Sequence, residues 1–321
     1  MAGFALVFPG QGAQLVGMGR DLFERDPVAR DVFDEADEVL GFGLAELCFT
    51  GPADKLQDTG NAQPAILTVS VAGLRALQQR LGSAYRAVVT AGHSLGEYSA
   101  LVAAGALTFA DALRLVRERG RLMKCAGELA PGTMVAVLGL GEETLQSICS
   151  EVARLGVVVV ANHNAPGQSV LSGEARAVEE AARLARAAGA SRTVPLAVAG
   201  AFHSPLMAPA AREFEAVLAQ VPVADAALPC VGNVSAMPLI RAEDIRDELR
   251  RQLAAPVRWA DSLRRMRGLG ATLFVEVGPG SVLSGLARRT LEGVRTASVG
   301  DVAGLDRIEQ ILQLESARGG R

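Results

Sequence analysis

The chain has 321 residues; half are hydrophobic, only 4% are aromatic, and the formal net charge is −3. This length and an apolar set dominated by Ala, Val and Leu predict an α/β protein, with one large domain that carries a smaller one. The slightly acidic balance argues against a nucleic-acid-binding protein, because such proteins draw most of their affinity from clustered Lys and Arg.

Cysteine usage and the N-terminal segment exclude further classes of protein. The cysteines lie far apart, without a C-x-x-C pair or a His cluster, which disfavours a zinc site or a disulfide framework. No basic region precedes the short apolar run in MAGFALVFPG, and no later run is long enough for a membrane helix. We therefore expect a cytoplasmic protein with no metal, no membrane contact and no nucleic-acid partner.

Two short apolar runs predict buried strands at the start of the fold. FALVF (4–8) ends in the glycine-rich turn PGQG, and AVVTAG (87–92) ends just before Ser94. The segment LGEYSALVAAGAL after Ser94 has Ala and Leu at helical spacing. Ser94 is therefore predicted to lie where a strand turns into a helix.

A second group of elements begins after ELAPGT (128–133), which breaks the helical pattern. The predicted order is β-α-β-β-α-β, which indicates a ferredoxin-like unit inserted into the larger domain. Its elements are MVAVLGL (134–140), a helix near 142–155, GVVVVAN (156–162), QSVLSG (168–173), a helix over 175–190 and SRTVPLAV (191–198).

The remaining chain is predicted to return to the larger sheet. LPCVGNV (228–234) and LFVEVGPG (273–280) are typical of buried strands, and the chain ends in a short helix followed by a polar, frayed tail. The predicted domains are 1–128 with 200–298, the insertion 129–199, and a C-terminal helix and tail at 299–321.

The sequence G-x-S-x-G around Ser94 is typical of a nucleophile elbow. A sharp turn lifts the serine Oγ out of the sheet and frees the backbone N–H of Leu95 to bind an oxyanion. Gly92 and Gly96 suit this geometry because they have no side chain to crowd the turn.

A nucleophilic serine needs a base, and the chain has three histidines. His93 is adjacent to Ser94, so we expect its ring to point away from Oγ and to pack or line the pocket wall. His163 follows the second strand of the insertion and is predicted to be a surface or cleft residue. His203 lies where the chain re-enters the large domain, and we predict that it is the base.

Seven motifs follow one another along the chain: FPGQGAQ (8–14), GHSLGEYSA (92–100), RLVRERGRLM (114–123), NHNAPGQSVLSG (162–173), GAFHSPLM (200–207), RQLAAPVRW (251–259) and VEVGPGSVLSGL (275–286). In their order and approximate spacing the chain resembles the malonyl-CoA:acyl carrier protein transacylases over about residues 4–290. The resemblance implies an α/β-hydrolase-like core with an inserted ferredoxin-like subdomain, and a ping-pong transfer of malonyl from coenzyme A through Ser94.

Matched position by position, the resemblance implies roles beyond the Ser94–His203 pair. The backbone N–H groups of Gln11 and Leu95 would form the oxyanion hole, and Arg119 would bind the malonyl carboxylate, for which a planar guanidinium is suited. Alternatively, Arg119 could be one of several solvated charges on a helix.

The remaining implied residues would complete the pocket. Gln252 would help to fix the histidine and the substrate, and a backbone carbonyl near it would orient His203, since no third carboxylate is evident. Asn162 would lie in the cleft, although it and Gln252 could equally be caps or surface amides. Phe202 would select malonyl over methylmalonyl by occupying the volume that a C2 methyl needs.

The resemblance also implies the reaction partners. The donor is a coenzyme A thioester, the acceptor is the phosphopantetheine thiol of acyl carrier protein, no cofactor is needed, and a monomer is expected. A free-standing acyltransferase of polyketide synthesis fits the same motifs as the enzyme of fatty acid synthesis. A serine esterase would be favoured by a solvent-exposed Arg119 together with turnover of the acyl-serine ester in water. An idle docking module is disfavoured because the reacting residues are intact.

Overall fold

The computed structural model describes residues 3–319, with side chains for residues 3–313. The strands in this part of the chain are β1 (Phe4–Phe8), β2 (Ala87–Gly92), β3 (Thr133–Leu138), β4 (Val158–Ala165), β5 (Gln168–Gly173), β6 (Arg192–Pro195), β7 (Cys230–Val231), β8 (Pro238–Leu239), β9 (Leu273–Val277) and β10 (Arg295–Val299). The α-helices are α1 (Arg20–Arg25), α2 (Pro27–Leu40), α3 (Leu44–Thr50), α4 (Ala53–Gln57), α5 (Thr59–Leu81), α6 (Gly96–Ala103), α7 (Phe109–Leu129), α8 (Glu142–Val152), α9 (Ala175–Ala187), α10 (Ala208–Ala219), α11 (Ala242–Gln252), α12 (Trp259–Gly268), α13 (Val282–Thr290) and α14 (Val302–Gly319).

The larger sheet has six strands in the order β10-β9-β1-β2-β7-β8. All neighbours pair in parallel except β7 and β8. Leu6 and Phe8 join the apolar core on one face of the sheet, while Ala5 and Val7 join the core on the other. Both faces are therefore covered, which explains the uninterrupted apolar runs of β1 and β9.

Helix α5 packs against β9, and α7 packs against α5. Together they bring Gln63 of α5 and Arg119 of α7 within hydrogen-bonding distance of each other. Arg119, in the middle of α7, is 1% exposed. On the same helix the side chains of Arg114 and Arg121 are 59% and 56% exposed. Helical spacing turns Arg119 towards the core, while its neighbours face solvent.

The smaller sheet is antiparallel, with the order β4-β5-β3-β6. Its helices α8 and α9 cover one face with an apolar cluster of their own. Met134 and Val170, from the opposite face, join the core of the larger part. Residues 161–163 of β4 also bond to Val257, since Val257 donates to Ala161 O at 2.8 Å and accepts from His163 N at 2.9 Å.

Several predicted elements coincide with the structure, and others need correction. The runs 4–8, 87–92 and 168–173 are β1, β2 and β5. His163 lies inside β4 instead of following it. The predicted strand 228–234 is reduced to Cys230–Val231, because the chain turns where Gly232 N donates to Met237 O at 3.0 Å. The edge strand β10 was not predicted, because its residues are mostly half-buried and lack a continuous apolar run.

The C-terminal helix is longer than predicted. Helix α14 continues through the polar segment to Gly319, because helical backbone hydrogen bonds are local and most residues of this segment have ordinary helix propensities. The predicted tail therefore lies mostly within the helix, and its last two residues are outside the described part. Leu305 and Ile308 of α14 join the large core, and Val299, at the predicted domain boundary, belongs to β10.

Within residues 3–319, no helix is both long and apolar enough to cross a membrane. In the same part of the chain, no group of three or more His, Cys, Asp and Glu side chains is arranged to hold a metal ion. The four cysteines are free; Cys48, Cys149 and Cys230 are buried, and Cys125 is partly exposed.

Candidate active site

Ser94 occupies a sharp turn between β2 and α6, with a left-handed φ of 51°. A Cβ on Gly92 would lie 1.9 Å from the carbonyl of Gly96, and a Cβ on Gly96 would lie 2.1 Å from Phe8 O. Contacts this short with backbone atoms exclude any side chain at either position. The two glycines of G-x-S-x-G are therefore steric requirements of this elbow.

His203 lies beside the elbow and also has a left-handed backbone, with φ of 57°. Its Nε2 is 2.7 Å from Ser94 Oγ. Its Nδ1 lies 2.9 Å from Gln252 O and 3.2 Å from Ala255 O. Two carbonyl acceptors assign the ring proton to Nδ1, so the Nε2 lone pair faces the serine hydroxyl.

The surroundings keep His203 neutral. Its side chain is buried, and burial together with the positive charge of Arg119 lowers the pKa of His203 to about 3. A neutral imidazole can accept the serine proton at neutral pH. Backbone carbonyls take the orienting role that an Asp or Glu takes in the common triad.

Arg119 is the buried cation of the site. Its Nη2 donates to Ser94 Oγ at 3.1 Å and to Gln252 Oε1 at 2.9 Å, and its Nη1 donates to Gln63 Oε1 at 2.8 Å. Its guanidinium carbon lies 5.6 Å from the centroid of the Tyr98 ring. Among the described residues no carboxylate forms an ion pair with it, so the structure leaves this cation free to pair with an anionic ligand. The alternative of a solvated helix charge is wrong.

Gln252, at the end of α11, is fully buried, so it is not a surface amide. Its Nε2 donates to Ser94 O at 3.0 Å and to the carboxylate of Glu97. Its Oε1 accepts from Arg119, and its backbone O accepts from His203. Gln252 therefore contacts the serine, the histidine and the arginine at once.

Gln11 and Leu95 flank the serine from two loops. The loop after β1 lies against the elbow, since His93 N donates to Phe8 O at 3.0 Å and a Cβ on Gly10 would be 2.4 Å from His93 O. Gln11 Nε2 donates to Thr59 Oγ1 at 3.1 Å. Among the hydrogen bonds of residues 3–319, none uses the backbone N–H of Gln11 or Leu95. Both N–H groups are thus free for an oxyanion.

The other predicted residues lie around this group without bonding to Ser94. His93 places Nε2 2.8 Å from Asn164 Oδ1 and packs edge-on against Trp259. Asn162 is buried on β4, where it bridges to Val257, in the segment that follows Gln252.

Phe202 contacts the small sheet, and His163 lies within it on β4. Phe202, next to His203, is buried, and its backbone O accepts from Ser172 Oγ at 2.7 Å. His163 has Nδ1 3.2 Å from Glu142 Oε2. The described contacts of His163 do not include Ser94, which distinguishes it from His203.

Comparison with known proteins identifies the family. Residues 5–318 match the family described as "Acyl transferase domain". A Bacillus subtilis (strain 168) protein named malonyl CoA-acyl carrier protein transacylase is 45% identical over 317 residues, which cover 98% of this chain and 99% of that protein. The chain belongs to the malonyl-CoA:acyl carrier protein transacylase family. An Escherichia coli (strain K12) member is 43% identical and covers 94% of this chain and 97% of its own length.

Solved structures of this family share the fold. The acyl-carrier-protein-S-malonyltransferase of Bartonella henselae superposes with a TM-score of 0.93 at 42% identity, covering 97% of this chain and 99% of its own. A structure described as a type II PKS acyl-carrier protein in complex with its malonyl-transacylase matches with a TM-score of 0.91 at 43% identity, covering 95% and 98% of the two chains. The mixed α/β fold with a parallel sheet is therefore that of the transacylase family.

Three buried side chains at this transacylase site were missed by sequence reasoning. Asn233 accepts from Ser94 N at 2.6 Å and donates to Gly92 O at 2.7 Å. Its position after β7, at the carboxyl edge of a parallel sheet, is a signal that could have found it. Gln63, which holds Arg119, and Glu97, which holds Gln252, lie within helices and carry no local signal.

Proposed function

We propose that this chain transfers a malonyl group from malonyl-CoA to the phosphopantetheine thiol of acyl carrier protein, through a malonyl ester on Ser94. The observation that carries the proposal is a buried arginine whose Nη2 is 3.1 Å from the same Ser94 Oγ that lies 2.7 Å from His203 Nε2. A nucleophile, its base and an anion-binding group thus meet at one oxygen atom.

In the first half-reaction Ser94 Oγ attacks the thioester carbonyl while His203 Nε2 takes the hydroxyl proton. The oxyanion of the tetrahedral intermediate is stabilised by the free N–H groups of Gln11 and Leu95. The intermediate collapses with loss of the coenzyme A thiol, which takes the proton from His203. Serine is left as its malonyl ester.

In the second half-reaction the phosphopantetheine thiol gives its proton to His203 and attacks the ester carbonyl. The same N–H groups stabilise the second oxyanion. Collapse forms the new thioester, and Ser94 Oγ recovers its proton from His203. No step requires a cofactor, so we propose that none is used.

Arg119 supports the choice of a dicarboxylate donor. Burial makes a bidentate pair between its guanidinium and the malonyl carboxylate stronger than in water, whereas an acetyl group has no carboxylate that could pair with the guanidinium. The buried position of Arg119 also disfavours the serine esterase, which was expected to show an exposed arginine. The short Ser94–His203 contact disfavours an idle docking module.

We extend the proposal to the finer description of the fold. The order β-α-β-β-α-β with sheet order β4-β5-β3-β6 supports a ferredoxin-like subdomain at 129–199, inserted into an α/β-hydrolase-like core. The monomer and the cytoplasmic location stay predictions of the sequence.

The acceptor carrier defines two versions of the function. Relatives from Bacillus subtilis and Escherichia coli carry the transacylase name alone, whereas a similar solved complex contains a type II PKS acyl-carrier protein. We propose fatty acid synthesis as the first function, with service to a polyketide synthase as the second candidate.

The test is intact-mass spectrometry after brief exposure to malonyl-CoA, followed by addition of a holo carrier protein. Wild-type protein should gain one malonyl group and lose it to the carrier, and Ser94→Ala should gain none. Holo carriers from fatty acid and from polyketide synthesis, compared side by side, identify the preferred acceptor. An unmodified wild type, or an adduct that persists in Ser94→Ala, contradicts the proposal.

A further inference from the structure

The amide of Gln252 has a fixed orientation in the site. Its Oε1 faces Arg119 Nη2 at 2.9 Å, and its Nε2 faces Ser94 O at 3.0 Å. A reversed amide has nearly the same shape but exchanges donor and acceptor. Reversal would set its NH₂ group against the guanidinium and its oxygen against the Ser94 carbonyl. Arg119 and the Ser94 carbonyl therefore favour the observed orientation, and a further preference comes from a third neighbour of the amide.

Glu97 supplies that preference. One of its carboxyl oxygens accepts from Gln252 Nε2, and the other accepts from Asn233 N at 3.1 Å. Both contacts come from N–H donors, so the carboxyl oxygens hold the NH₂ end of the amide and would meet the oxygen of a reversed amide unfavourably. Burial and the neighbouring Glu248 raise the pKa of Glu97 well above its usual value.

Glu97 also connects this amide to the elbow. Glu97 accepts a hydrogen bond from the backbone N–H of Asn233. The side chain of Asn233 in turn bonds to Ser94 N and Gly92 O. Glu97 is fully buried, on the first turn of α6. One carboxylate thus fixes the position of Gln252 relative to the nucleophile.

Glu97 is not a third member of a triad. His203 Nδ1 is occupied by the carbonyls of Gln252 and Ala255, and the described hydrogen bonds of residues 3–313 include none between Glu97 and His203. Glu97 supports the elbow through the backbone N–H of Asn233, and it reaches Arg119 through the side chain of Gln252. Proton transfer between serine and histidine does not depend on that end of the amide.

We propose that Glu97 is a positioning residue for malonyl selection, because its carboxylate orients the Gln252 amide so that Arg119 faces Ser94 Oγ. The inference rests on the proposed function and adds a determinant of substrate choice outside the pocket. It implies that the loss of this carboxylate weakens discrimination between malonyl and acetyl donors while acyl-serine formation itself continues.

The test is Glu97→Gln, assayed as kcat/KM for acylation of Ser94 by malonyl-CoA and by acetyl-CoA. The new amide keeps an acceptor for Asn233 N but presents NH₂ to Gln252, which favours the reversed orientation. We expect the malonyl-to-acetyl ratio to fall about 10- to 100-fold, the range of a lost hydrogen bond to a charged group. Acetyl transfer should change by no more than about threefold, on the scale of a neutral hydrogen bond.

Glu248→Gln is the matched control. Glu248 is an equally buried carboxyl near Glu97, but it accepts from Val234 N and Ser235 N and lies 3.8 Å from Arg251 Nη2. Gln252 is not among its described partners. This variant replaces a buried carboxyl group by an amide, as Glu97→Gln does, and its malonyl-to-acetyl ratio should stay at the wild-type value. A ratio that falls as far as in Glu97→Gln would overturn the inference.

A double-mutant cycle with Gln252→Ala separates positioning from general damage. In the Gln252→Ala background Glu97→Gln should have no further effect on the ratio, because the group it acts through is absent. If Glu97→Gln does not fold, Glu97→Asp, whose shorter side chain should withdraw the carboxyl group from the Gln252 amide, carries the same cycle. Equal losses with both donors, or fully additive losses, overturn the inference. A wild type that fails to form malonyl-Ser94 overturns the proposed function instead.

Discussion

Ser94 and His203 face each other with similar left-handed backbones, but different parts of the chain hold them in place. The elbow around Ser94 is held by close backbone packing, since Gly92 lies against the backbone of Gly96 and Gly96 lies against Phe8 O at the end of β1. The loop of His203 is held by hydrogen bonds to a segment about 50 residues further along the chain. The ring Nδ1 bonds to the carbonyls of Gln252 and Ala255, and the backbone N–H of His203 donates to Leu253 O.

The difference shows how one site combines two kinds of support. Steric exclusion fixes the nucleophile, within the turn between Gly92 and Gly96 and against β1 between Gly96 and Phe8. Hydrogen bonds and burial fix the base, and they also set its charge state. A change at the elbow should therefore affect stability and activity together, whereas a change at the histidine should affect activity first.

The largest effect is expected for His203→Ala. Loss of the base should lower the rate of Ser94 acylation by roughly 10²–10⁴-fold, the usual contribution of a positioned general base. His163→Ala is the control and should stay within about tenfold on the same scale, because its described contacts lie with Glu142, away from Ser94. Stopped-flow release of coenzyme A measures both. The assignment of the base is wrong if the two variants exchange these results.

Gly96→Ala should disrupt the steric packing of the elbow around Ser94. The added Cβ would lie 2.1 Å from Phe8 O, so α6 must move off the end of β1. We expect a loss of about 3 kcal/mol in the free energy of unfolding, at the upper end for overpacking, together with loss of activity.

Gly285→Ala is the control for the elbow variant. A Cβ there meets nothing within 4 Å, and the position is inside a helix. The free energy of unfolding should rise by up to about 1 kcal/mol. Urea denaturation followed by circular dichroism compares the two variants, and equal stabilities would contradict the steric explanation of G-x-S-x-G.

Phe202→Ser tests the loop that carries the base. If the buried ring occupies the space of a C2 methyl group, the wild type should prefer malonyl over methylmalonyl by roughly 10–200-fold in kcat/KM, and the variant should narrow this ratio. Competition between the two thioesters for Ser94 measures it, with the absolute rate for malonyl as the control for loop damage. A wild type that accepts both donors equally contradicts the assignment of Phe202.

The smallest expected effect is a shift in pH dependence. The Arg119 charge disfavours imidazolium, so Arg119→Ala should raise the pKa of His203 from its value of about 3, and the acid limb of Ser94 reactivity should move to higher pH. Reaction with a small sulfonyl fluoride between pH 4 and pH 8 reports this limb without a malonyl carboxylate. Arg119→Lys retains the charge and should keep the limb low. Identical profiles for wild type and Arg119→Ala contradict this electrostatic role.

The predictions from sequence succeeded where the cause is local. Strands β1, β2 and β5 coincide with apolar runs, and the elbow lies between a strand and a helix as predicted. They failed where tertiary contacts decide the element. The strand at β7 is cut short because Gly232 and Asn233 turn towards other partners, and β10 forms on the edge of the sheet by pairing with β9.

The sequence by itself determined the elbow, because the G-x-S-x-G spacing and a strand that runs into a helix are properties of a few consecutive residues. The small number of histidines then limited the choice of base. The tertiary structure decided what surrounds the serine. Gln252 is 158 residues away from Ser94, and Asn233 is 139 residues away. An arginine or glutamine on a helix has the same local pattern whether it is buried or solvated, and only packing removes the water that would otherwise weaken its charge and its hydrogen bonds.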